Sequence, residues 1–69
     1  MNRLAVMAPW ARPPSIDEIA RLRATLAPET LAVVAEVAAA AHAGATFWLS
    51  ELEARLDEPA FDAVLQALL

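Results

Sequence analysis

Proton-transfer chemistry near neutral pH would have to start from His42, the only histidine in the 69-residue chain. An imidazole can act as a base or as a metal ligand. Thr46 follows at i+4, but a His–Thr pair has no third group to orient it, and Glu36 makes no recognisable motif with either. Metal binding needs further His, Cys or carboxylate ligands at helical spacing. The stretch "VAAAAHAGATFWL" (Val37–Leu49) offers only His42 and Thr46 as polar residues. Two His42 side chains meeting across a homodimer are a weak route to a site, so a solvated or hydrogen-bonded histidine is expected. One glycine, Gly44, cannot build a phosphate loop. A nucleophile elbow is absent too. The expectation is therefore no catalytic residue, no cofactor, no metal and no enzyme.

The charge balance narrows the partners. Five arginines and no lysine stand against nine acidic residues, for a net charge of −4. Such a chain has no long-range attraction for phosphate backbones, which argues against nucleic acid. A helix-turn-helix at Ala27–Pro28 would lack basic or amide side chains for base edges. The charged face "SELEARLDE" (Ser50–Glu58) is expected to be solvated, with a basic partner as the alternative. Arg23 is expected to lay its stem over the core or to pair with Glu36. Arginine in place of lysine and alanine in place of isoleucine are associated with GC-rich bacterial genomes.

Two apolar runs bear on location. "MNRLAVMAPW" begins like a signal peptide, but its apolar run before Pro9 is only about five residues, where roughly seven to fifteen are needed. Leu31–Leu49 approaches the length of a membrane span, yet it contains Glu36 and His42 and is rich in alanine. A carboxylate at bilayer depth costs about 2.5–3.5 kcal/mol on insertion scales. A cytoplasmic chain is expected, with a peripheral membrane or membrane-complex subunit as the alternative.

The elements that would position these residues are helical. Residues 1–14 hold Pro9, Pro13 and Pro14 and form an extended arm with Trp10 in its middle. Trp10 either folds back over the core or docks on a partner. Residues 15–69 form a single all-α domain of three helices, at about 15–27, 28–57 and 59–69. "SIDE" (Ser15–Glu18) is a capping box, and Ile16, Ile19, Leu22 and Leu26 follow as one apolar stripe. Pro28 suits the first turn of a long alanine-rich helix, with Gly44 the one point where it would break into two. Unbroken, that helix runs about 42 Å. Pro59 opens the last helix, with Phe61, Val64, Leu65 and Leu68 on one face. An apolar end of this kind is expected to lie against something.

On a helical wheel the long helix carries two apolar seams. One runs through Leu31, Val34, Ala38, Ala41, Ala45, Trp48, Leu49, Leu52 and Leu56. The other runs through Val33, Val37, Ala40, Gly44 and Phe47 with the 4-3-4-3 spacing of knobs-into-holes packing. The flanking helices supply one stripe each, enough for one seam. A chain this small has a marginal core and no cysteine to staple it, which favours oligomerisation. The expectation is a protein–protein interaction module, a small accessory, chaperone-like or regulatory subunit. It would self-associate as a dimer or dock on a larger protein through Val33, Val37, Ala40, Gly44 and Phe47, with Trp48 and Trp10 as further anchors. The competing arrangement is a closed monomer that wraps both seams around a break at Gly44.

Overall fold

The computed structural model describes residues 12–68. Most of the proline-rich arm, Trp10 included, lies outside the described residues, as does Leu69. Among the described residues there are four helices: α1 (Ile16–Leu22), α2 (Pro28–His42), α3 (Trp48–Arg55) and α4 (Glu58–Leu68). The all-α class holds, and the expected central helix (28–57) is two helices, α2 and α3, so the expected last helix is α4.

Helices α1, α2 and α4 each start with a local cause. The Ser15 hydroxyl accepts from the Glu18 N–H at 3.2 Å, and the Glu18 carboxylate accepts from the Ser15 N–H at 2.9 Å. This completes the capping box. The Ser15 backbone N–H, then the Ser15 hydroxyl, and more weakly Arg12 and Arg21, hold the Glu18 carboxyl below its usual pKa. Helix α1 is shorter than the apolar stripe suggests. It ends at Leu22, and Leu26 continues only as a turn, its N–H donating to the Leu22 carbonyl at 2.9 Å. Ala27 precedes a proline and is extended, and Pro28 takes the first position of α2. Asp57 caps α4, its carboxylate accepting from the Ala60 N–H at 3.0 Å.

The continuous central helix is the main correction. Helix α2 stops at His42 and the chain reverses through Gly44, whose φ is +79°. The Ala45 N–H donates to Ala40 at 2.9 Å and the Gly44 N–H to Ala41 at 3.0 Å. These two bonds are a Schellman motif, which satisfies the last carbonyls of α2. Phe47 sits at the N-cap of α3 without a side-chain cap, while the Thr46 hydroxyl reaches the Glu51 carboxylate at 3.4 Å. The reversal keeps the fold within 27 Å in its longest dimension, well short of a 42 Å helix.

The break lets both seams enter one core. Val34, Val37, Leu52, Phe61 and Val64 are fully buried, with Leu22, Leu26, Trp48, Leu49 and Leu65 around them. Helix α3 folds back on α2, α1 packs on α2, and α4 follows α3. Arg55, not Arg23, meets Glu36, at 3.0 Å between exposed side chains. Such a pair contributes about 0–1 kcal/mol. The end of α4 lies against the core, with Leu65 buried and Leu68 half-buried. No helix among the described residues is long and apolar enough to cross a membrane.

Candidate functional site

The expected interface residues separate in the structure. Val37 and Trp48 are core residues. Val33 and Ala40 are half-buried, and Val33 packs against the core. Gly44 is exposed at the reversal. Phe47 remains on the surface and is 83% exposed. Trp10 lies outside the described residues. The Val33–Phe47 line is therefore no continuous outer face: Val37 lies in the core, and the reversal at Gly44 separates Phe47 from α2.

A different apolar surface is open. Ile16 was expected in the core stripe of the first helix, but it is 85% exposed. The stripe tilts: Leu22 is buried, Ile19 half-buried and Ile16 free. On α2, the residues facing this end of α1 are Ala35, Ala38 and Ala39. Alanines cannot fill the widening gap, so a hollow of about 630 Å³ opens between the two helices. Its polar contributors are Ser15 and His42. A second hollow of about 470 Å³ continues it toward Pro28 and shares Ile19 and Ala35 with it. Together they form one trough along the α1–α2 pair, with Arg23 at the far part.

His42 closes the near end. Its Nε2 lies 3.0 Å from the carbonyl oxygen of Pro14, a buried residue that also lines the trough. A carbonyl only accepts, so the imidazole donates and carries its proton on Nε2. The ring thereby ties the chain before α1 to the C-terminal turn of α2. Among the described residues no group of three or more His, Cys, Asp or Glu side chains is placed to hold a metal ion.

The trough was partly legible in the sequence. The wheel of the long helix leaves a strip of Ala32, Ala35, Ala39 and Ala43 outside both seams. Its small side chains gave no hydrophobic signal, and only the tilt of α1 turns that strip into a concave surface. No family model, curated protein or solved structure matches this chain, so the residues and their geometry carry the functional reading.

Proposed function

We propose that this chain is a non-enzymatic helical interaction module, a small accessory, chaperone-like or regulatory subunit. It works by holding a protein partner, a second copy first of all or a larger protein, on the α1–α2 trough. The observation that carries this reading is the trough itself: an open hollow of about 630 Å³ whose walls are mainly isoleucine and alanine side chains. Uncovered apolar concavities on small proteins mark binding surfaces. Phe47 supplies a second exposed apolar contact of the kind that anchors interfaces. The alanine floor suits a helix or an extended segment, because small residues let a partner's backbone come close.

The test is solution mass by light scattering on a sizing column across a hundredfold concentration range. The expected result is a rise from 7.4 kDa toward twice that value. Ala39→Glu places a carboxylate on the trough floor at an exposed position and should hold the chain at the monomer mass with unchanged helicity. Self-association through the trough is wrong if the mass stays monomeric throughout or if Ala39→Glu associates as well as the parent.

A further inference from the structure

The trough is apolar along its length and cationic at one end. Among the described residues no carboxylate lines it, and its one arginine, Arg23, stands at the part near Pro28. Arg23 has no ion-pair partner among the described residues, since Glu36 meets Arg55 instead. We propose that the trough binds a free long-chain fatty acid, with the carboxylate held by Arg23 and the hydrocarbon chain laid over the alanine floor toward Ile16 and His42. The inference rests on the trough being an apolar binding surface, as argued above.

Three observations favour this ligand. The first is charge. An arginine left without a carboxylate, in a chain of net charge −4, offers its N–H donors to an anion brought from outside. It also sets the direction of the ligand. The His42 Nε2–H at the other end already donates to the Pro14 carbonyl, so the anionic head belongs at Arg23. The second is length. From Pro28 to His42 the floor runs about 21 Å at the helical rise. One acyl chain fills half of a bilayer's hydrocarbon core, about 15 Å, which leaves room for the head group. The third is the lack of polar partners. The Ser15 hydroxyl is engaged by the Glu18 N–H and His42 by Pro14. A hydrocarbon chain has no N–H or C=O to satisfy, and it gains by covering Ile16, Ile19 and the alanines.

The test is calorimetric titration of the full chain with decanoate, laurate and myristate, at the lowest protein concentration of the light-scattering series. The expected result is one fatty acid per chain. Affinity should rise about two- to fourfold per added methylene, as for a chain buried in half or in full. Arg23→Gln, an exposed substitution, should weaken decanoate about three- to tenfold and leave decanol, the same chain with an uncharged head, unchanged. Ala39→Glu should abolish binding while circular dichroism shows the same helix content. No binding of any of the three acids overturns the proposal. Binding that ignores Arg23→Gln, or that survives Ala39→Glu, also overturns it, because the ligand then lies elsewhere or is held without its carboxylate. A chain that takes the acids in this pattern yet stays monomeric by light scattering upholds the fatty-acid site and defeats self-association. A chain that associates but takes none of the acids does the reverse.

Discussion

Two residues decide how the chain is divided, and neither does so by burial. Gly44 adopts φ +79°, and an added Cβ would meet nothing within 4 Å. The cost of replacing it is therefore backbone strain alone. Left-handed backbone costs a non-glycine residue about 1–2 kcal/mol, partly offset by a stiffer unfolded chain. Gly44→Ala should lower stability by about 1 kcal/mol and the melting temperature by roughly 4–8 °C. Gly44→Asn should be milder, since asparagine tolerates this conformation. Differential scanning calorimetry of the three proteins checks the order. Ser15 acts at the other end of the chain. Ser15→Ala should cost about 1 kcal/mol at neutral pH, as expected for a lost N-cap. The folded Glu18 carboxyl is held below its ordinary pKa. Its contribution is therefore present above the unfolded value and is lost as pH falls through the folded one. The gap in urea midpoint between parent and Ser15→Ala should narrow as pH drops below about 4, the ordinary range for glutamate.

At the scale of elements, the question is which apolar line of α2 faces inward. A straight helix shows both seams around its axis and can cover only one with two short neighbours. A helix broken at Gly44 folds its second half back, and Trp48, Leu49 and Leu52 then cover what the first half exposes. Glycine in a helix interior costs only ~1 kcal/mol, too little to force a break. Burying one large apolar side chain is worth about 1.5–3 kcal/mol, and several are buried by the fold-back. This makes Val37 and Phe47, neighbours on one wheel, differ sharply in the structure. Val37→Ala should destabilise by about 2–3 kcal/mol through lost burial and a residual cavity. Phe47→Ser should change stability by about 0.5 kcal/mol or less, as surface substitutions do. Chemical denaturation of both variants decides it; equal effects would mean that Val37 is not a core residue.

For the whole molecule, the radius of gyration of 10.9 Å is close to the value of about 11 Å for a compact chain of this length. One core is shared by all four helices, and the described residues bury no polar or charged side chain in it. Stability of a chain this size is roughly 3–10 kcal/mol, so covering an open apolar trough is a sizeable gain. Binding to the folded state alone raises apparent stability by mass action. The melting temperature of the parent should therefore rise with protein concentration, while that of Ala39→Glu should not. A concentration-independent melting temperature in both would remove self-association from the account.

The sequence by itself determined the all-α class, the capping box at Ser15, the proline-led start of α2, the approximate start of α4 and the identity of most core side chains. These follow from local chemistry and helical periodicity, which act over a few residues. It also marked Gly44 as the one breakable point and named both outcomes there. Only the tertiary structure decided between them, because the choice compares a small local cost with the burial gained when distant segments meet. For the same reason it alone placed the open apolar surface. Whether Ile16 is covered depends on how α1 leans across an alanine strip, and a tilt between two helices is written in no single residue.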